Sequence, residues 1–136
     1  MADFKAFEIS SAGMALEKLR VDLAAMNIAN MNTAARIGEG YRPRHIEASL
    51  VGQTGFQDFM SSLDIQQLVA VRSGNVKQVY EPSHPLADQD GMVEYPDVQP
   101  LTEMMTLMNA MRSYEANARA FNASKLLIDE AIKLGK

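Results

Sequence analysis

LTEMMTLMNAMRSYEANARAFNASKLLIDEAIKLG, residues 101–135, is the stretch whose reading decides the fold. From Leu101 to Leu134 it contains neither glycine nor proline. Pro100 before it suits a first helical turn, where a missing N–H is harmless, and Gly135 supplies a C-terminal stop. A helix of this span is about 50 Å long, more than a globule of 15.0 kDa needs. Met104, Leu107, Met111, Tyr114, Ala118, Phe121, Ile128 and Ile132 recur at alternating spacings of three and four, interrupted only by Lys125. That spacing is a heptad seam.

A second seam lies at the other end of the chain. Ile9, Ala12, Leu16, Leu19, Leu23 and Met26 alternate in the same way, which predicts a helix from about Phe7 to Asn30. Gly13 weakens it by roughly 1 kcal/mol. Asn30 is expected to end it, because Asn tolerates the left-handed conformation that often closes a helix. Between the two helices the composition changes. Residues 37–98 hold six of the eight Gly and four of the five Pro, which marks turns and short strands. Alternating runs predict strands over 44–50, 67–72, 75–80 and 92–95, with a tight hairpin at Ser73-Gly74, a loop at residues 52–55 and a turn at Gln89-Asp90-Gly91. The fold class is therefore mainly α with a small β module. Long N- and C-terminal helices pair as a coiled-coil-like hairpin around a turn-rich, short-stranded insertion. Residues 1–36 and 99–136 are expected to form the discontinuous helical core, and 37–98 the outward module.

The two seams leave apolar side chains over. Leu101, Met105 and Met108 lie off the seam of the last helix, and Phe4, Phe7, Met14 and Val21 off that of the first. A lone helical hairpin buries one stripe of each helix and is polar elsewhere. Methionine adapts to irregular neighbours, so Met104, Met105, Met108 and Met111 suit a surface that packs against several partners. The competing reading is ordinary core, covered by the middle module.

Composition narrows the function. The chain of 136 residues has no Cys, which removes disulfides, thiolate metal sites and a cysteine nucleophile. A pI near 5.1 argues against nucleic acid as a partner. Net charge is −4, and the middle segment carries it, with nine acidic against four basic side chains. Asp3, Glu8 and Glu17 interrupt the first twenty residues, so no leader of the cleavable type is expected there, and no run is long enough to span a bilayer.

The turn HPLADQDG contains His84, Pro85, Asp88, Asp90 and Gly91. It echoes a calcium loop, but the position that needs a bidentate Glu is Gln99. The expected reading is a Pro-anchored turn whose Asp side chains accept backbone N–H bonds. Asp88, Asp90 and Glu94 lack an apolar pocket to raise a carboxyl pKa and are read as a solvated acidic loop. Neither a catalytic constellation, a metal site nor a cofactor is expected. Asn27 and Asn30, and Asn117 in SYEAN, place amides beside small Ala residues on helices. A partly buried amide there fixes register, because it must find a partner. The alternatives are a helix cap at Asn30 and a water-facing Asn117.

At these residues the sequence resembles the flagellar basal-body rod proteins. NIANMNT at 27–33 and GYRPR at 40–44 resemble their N-terminal signature. VYEPSHPLADQDGMVEYPDV at 79–98 resembles the segment that sets the proximal-rod branch apart, and MRSYEANARAFNASKLLIDEAIKLG at 111–135 resembles its last helix. Position by position, Asn27, Ala29, Asn30 and Thr33 match the first motif, and Tyr114, Glu115, Ala116 and Asn117 the second.

The resemblance implies a structural subunit that polymerises with itself or homologous rod subunits into a helical, tubular drive shaft around an export channel. It implies contact with other rod and ring-junction proteins, and passage through the flagellar type III export apparatus without a cleavable signal. The working location would be the basal body, crossing the periplasm. Two rivals stand beside it: another flagellar rod or type III inner-rod subunit, and a monomeric helical adaptor or export chaperone.

Overall fold

The computed structural model describes residues 2–48 and 69–134, with side chains over 7–47 and 70–134. The elements are α1 (Ala2–Asn30), β1 (Arg44–Ala48), β2 (Val69–Ser73), β3 (Val76–Tyr80), β4 (Met92–Pro96) and α2 (Pro100–Leu134). The chain is mainly helical, with small antiparallel strand pairing. Gly135, the loop at 52–55, the ends of the first two predicted strands and the Phe4 side chain fall outside the described residues.

Helix α1 begins five residues earlier than its seam predicts and ends at Asn30, as expected, but by another device. Among the described residues only Gly38 and Gly91 have positive φ, so Asn30 is not left-handed. Its side-chain amide instead donates to the Met26 carbonyl, one turn back in the helix, at 2.8 Å. Helix α2 opens with Pro100, and the Glu103 N–H donates to the Gln99 carbonyl at 3.1 Å.

The strands lie where alternation predicts them, but their pairing differs. β2 pairs with β1, while β3 pairs antiparallel with β4, Val76 opposite Pro96 through Tyr80 opposite Met92. Ser73-Gly74 therefore does not close a hairpin. The Gly74 N–H donates to the Pro43 carbonyl at 2.6 Å, and the turn hands the chain from one ribbon to the next. Period-two alternation identifies a strand and its faces but carries no information about its neighbour.

The chain divides into two compact units. One comprises Arg20–Glu47 and Val71–Leu107; the other includes residues 2–19 and 108–134. Leu23, Ala24, Val93, Val98 and Ala110 are buried, and so are Ser10, Glu17, Asn27, Glu94 and Glu103. The covered stripe of α2 thus runs through Glu103, Leu107, Ala110, Asn117, Phe121, Ser124 and Ile128, at spacings of three and four except for one seven-residue step across the exposed Tyr114. It shares Leu107, Phe121 and Ile128 with the hydropathy seam. At the alternate places the small or polar Glu103, Ala110, Asn117 and Ser124 are covered, and Met104, Met111 and Lys125 are exposed. Close approach explains the choice. A methyl group on Gly13 would lie 2.7 Å from the Asn117 amide nitrogen, so the backbones there meet across small residues. Nearby, the Phe7 and Phe121 rings pack edge to face, centroids 4.7 Å apart.

Candidate functional site

The predicted seam residues divide by exposure. On α1, Leu23 is buried, Leu16 and Leu19 are half-buried, and Met26 is exposed. On α2, Leu107, Ala118, Phe121 and Ile128 are half-buried, whereas Met104, Met111, Tyr114 and Ile132 are exposed. Leu101, at 73% exposure, and Met105, at 57%, open to solvent in one unit. Met108, Leu126 and Leu127 do so in the other. Side chains of this size rarely remain uncovered together on a monomer's surface. Glu103, Ala110, Asn117 and Ser124 take covered places on α2 beside Leu107, Phe121 and Ile128, while Leu101, Met104, Met105, Met108 and Met111 stay outside.

The N-terminal motif is held by Asn27, which is fully buried. Its Oδ1 accepts the Arg44 backbone N–H at 3.0 Å and the Tyr41 hydroxyl at 2.8 Å. Its Nδ2 donates to the Arg44 carbonyl at 2.9 Å and to Glu103 Oε2 at 3.2 Å. An Asn side chain has two donor hydrogens and two acceptor lone pairs, and all four are used here. Asn27 therefore pairs with β1 as another strand would, and ties α1 to the first turn of α2. Glu103, only 5% exposed, also lies 3.7 Å from His45 Nδ1. Burial pushes the Tyr41 hydroxyl above its usual pKa; Arg44 opposes that shift and Glu103 adds to it. Asn30 donates back to Met26, and Ala29 and Thr33 are exposed.

In the C-terminal motif, Asn117 is half-buried against Gly13, while Tyr114, Glu115 and Ala116 are exposed. Glu115 pairs with Arg119 one turn on, at 3.8 Å.

The turn at 84–91 is ordered by its own side chains. Asp88 Oδ1 accepts the N–H groups of Asp90 at 3.0 Å and Met92 at 2.7 Å. His84 Nδ1 accepts the Leu86 N–H at 3.1 Å. Gly91, at φ +76°, would place any side chain 2.9 Å from the Tyr80 ring. Pro85 and Asp90 are exposed. Among the described residues no group of three His, Asp or Glu is placed to hold a metal ion, and no helix is long and apolar enough to cross a membrane.

Glu94 departs from its reading as part of a solvated loop. It is only 3% exposed. Its carboxylate accepts the Gly38 N–H and the Gly40 N–H, each at 3.1 Å. Its backbone bridges Ala35 in both directions, at 2.9 and 3.0 Å. This cradle straps the segment after α1 onto β4. The Gly-Glu-Gly sequence was its available signal: two glycines flanking one residue let adjacent N–H groups converge on an anion. Glu103 also had a signal, its place at heptad spacing from Leu107 and Ala110. Nothing in the sequence marks Tyr41 as the hydroxyl partner of Asn27.

Comparison with known proteins agrees with this geometry. The family described as "Flagellar basal body rod FlgEFG protein C-terminal" matches residues 89–134. The flagellar basal-body rod protein FlgC of Bacillus subtilis is 33% identical, with both chains covered completely. The protein of that name from Salmonella typhimurium is 30% identical, again with both chains covered completely. That of Aquifex aeolicus is 28% identical over 98% of this chain and 97% of its own. With a third of its residues shared from end to end with such a relative, the chain belongs to the flagellar basal-body rod protein FlgC family.

Proposed function

We propose that the chain is a subunit of the proximal rod of the bacterial flagellar basal body. It polymerises through its terminal helices, residues 1–36 and 99–136, into the tubular shaft that transmits torque and surrounds the export channel. Residues 37–98 face outward. Its partners are further copies or homologous rod subunits, with rod and ring-junction proteins at the ends of its layer. It reaches them through the flagellar type III export apparatus. The role is mechanical and no catalytic step is involved.

One observation carries this reading: large apolar side chains stand exposed along α2 while the polar or small Glu103, Ala110, Asn117 and Ser124 take covered places. Burying Leu101, Met104, Met105, Met108 and Met111 against neighbours would stabilise an assembly by roughly 1.5–3 kcal/mol for each side chain fully covered. Met108→Asp tests it. The purified variant should keep the circular dichroism and denaturation midpoint of the parent, because Met108 is 53% exposed. In cells whose only copy is the variant, motility and isolated rods should be lost. Leu19→Asp and Phe121→Asp should abolish both as well. A motile Met108→Asp strain would sink the proposal, as would a concentration-independent monomer that co-purifies with export substrates and never with basal bodies.

A further inference from the structure

In the unit comprising Arg20–Glu47 and Val71–Leu107, α1, β1 and α2 enclose a cleft of about 180 Å³. Leu23, Ala24 and Ile46 supply apolar wall; Arg44, His45 and Glu103 supply polar wall. The acid is already engaged inward, because Glu103 Oε2 takes the Asn27 amide and Oε1 faces His45. The Arg44 backbone is pinned on both sides by Asn27. Its guanidinium is exposed and joins no ion pair among the described residues. Arg20 lines the same cleft. A chain of net charge −4 thus carries an exposed guanidinium, on a pinned backbone, at the mouth of this cleft.

The complementary charge occurs on the same unit. The turn at 88–91 is locked by the two N–H bonds to Asp88, so it presents Asp90 from a rigid base. The Asp90 carboxylate is exposed and has no hydrogen-bond or ion-pair partner among the described residues. A socket and a projection on one unit, with the projection unengaged there, are the two parts that a head-to-tail contact between copies requires. Contacts of that kind build rings or open helical filaments.

We propose that the Arg44 cleft receives the Asp90 turn of a second copy of this chain. The proposal rests on the rod reading, and adds to it a contact that sets register between neighbouring copies. A partly exposed charge pair contributes little to affinity; its effect is to select one arrangement over others.

Charge reversal tests it in the full-length chain. Arg44→Glu alone and Asp90→Lys alone should each lower the yield of isolated rods by about tenfold or more. The two together should restore it. Because the chain has no Cys, Arg44→Cys with Asp90→Cys gives a second readout that does not depend on charge. Oxidation of assembled basal bodies should yield a ladder of linked copies. Normal assembly of either single reversal, failure of the double reversal to recover, or absence of the ladder would each overturn the proposal. Recovery of Arg44→Glu by Asp97→Lys instead of Asp90→Lys would also overturn it. Loss of rods in Met108→Asp alongside normal rods in Arg44→Glu removes this contact and leaves the rod reading intact. Normal rods in Met108→Asp remove that reading itself.

Discussion

The two units hold their helices by different means. Between Arg20 and Leu107, the helices and the loop that joins them are fastened by hydrogen bonds that only one arrangement satisfies. Asn27 uses all four of its bonding positions there, and Glu94 sits in a cradle of backbone N–H groups. In the other unit, the Phe7 and Phe121 rings meet and Gly13 closes on the Asn117 amide, while Met108, Met111, Leu126, Leu127 and Ile132 remain exposed. Buried polar groups are costly when unpaired, so they exclude alternative arrangements. Apolar side chains bury well against almost any apolar neighbour. The division fits the proposed assembly: polar bonds define the single chain, and the exposed apolar side chains would be left for neighbouring copies to cover.

Removing Asn27 breaks the first half of the comparison most severely. Asn27→Ala leaves the Arg44 N–H and carbonyl, the Tyr41 hydroxyl and one Glu103 oxygen without their partner. The expected loss is about 3–5 kcal/mol, read as a lower urea midpoint of the purified chain. Asn27→Asp should be at least as damaging despite its shape, because it sets a carboxylate where the amide nitrogen now lies 3.2 Å from Glu103. An Asn27→Asp protein as stable as the parent would mean that the clasp is incidental.

The Glu94 cradle allows a graded test. A methyl group on Gly40 would stand 2.5 Å from Glu94 Oε1, whereas one on Gly38 would meet nothing within 4 Å and add only the strain of φ +88°. Gly40→Ala is expected to cost about 2–3 kcal/mol, since it displaces a buried carboxylate from its donors. Gly38→Ala should cost about 1 kcal/mol. If the order reverses, the strap is held by backbone conformation and not by the carboxylate.

These tests mark where sequence reading runs out. The existence of both helices, the end of α1 at Asn30 and the start of α2 at Pro100 were legible, because Pro100, Asn30 and the long breaker-free run act locally. The start of α1, five residues earlier than its seam predicts, was not. So were the strands, whose alternation is local too. Strand partners were not, since β2 and β3 are joined by a good turn and yet pair elsewhere. Covered stripe and hydropathy seam differ for a related reason: a seam chosen by hydropathy favours Met104 over Glu103 and Met111 over Ala110. Which of these faces inward depends on how closely the backbones approach, and that is a property of two segments together. Asn27 was legible as an amide in need of a partner. The partners were not, because Tyr41, Arg44 and Glu103 lie 14, 17 and 76 residues away.

The second half of the comparison can be sharpened at Gly13. Alanine there gains about 1 kcal/mol of helix propensity but drives its methyl against the Asn117 amide. The two effects oppose each other. Gly13→Ala should therefore be neutral or destabilising by about 1 kcal/mol in the parent. In an Asn117→Ala background, where the obstruction is gone, it should stabilise by about 1 kcal/mol. The coupling is the readout, measured by denaturation of the four proteins of the cycle. Additive effects would show that the helices do not approach at this point.

The smallest effect concerns the Tyr41 hydroxyl. Burial raises its pKa in the folded chain, so folding favours the protonated form. A raised pKa adds stability that is complete below the unfolded value, near 10, and is lost as pH climbs through the folded value. Tyr41→Phe should cost about 1 kcal/mol at neutral pH, because Asn27 Oδ1 keeps only its bond to the Arg44 N–H. The difference between parent and variant should shrink above about pH 10, where the parent must ionise a hydroxyl that donates to Asn27. Arg44 favours the phenolate and partly offsets the burial. Replacing it with Gln removes that offset and raises the folded value further, so the alkaline loss should still begin near pH 10 but extend to higher pH and be larger in total. An alkaline limb that is the same with and without the Tyr41 hydroxyl would separate this group from the clasp and leave Arg44 and Glu103 as the partners that hold Asn27.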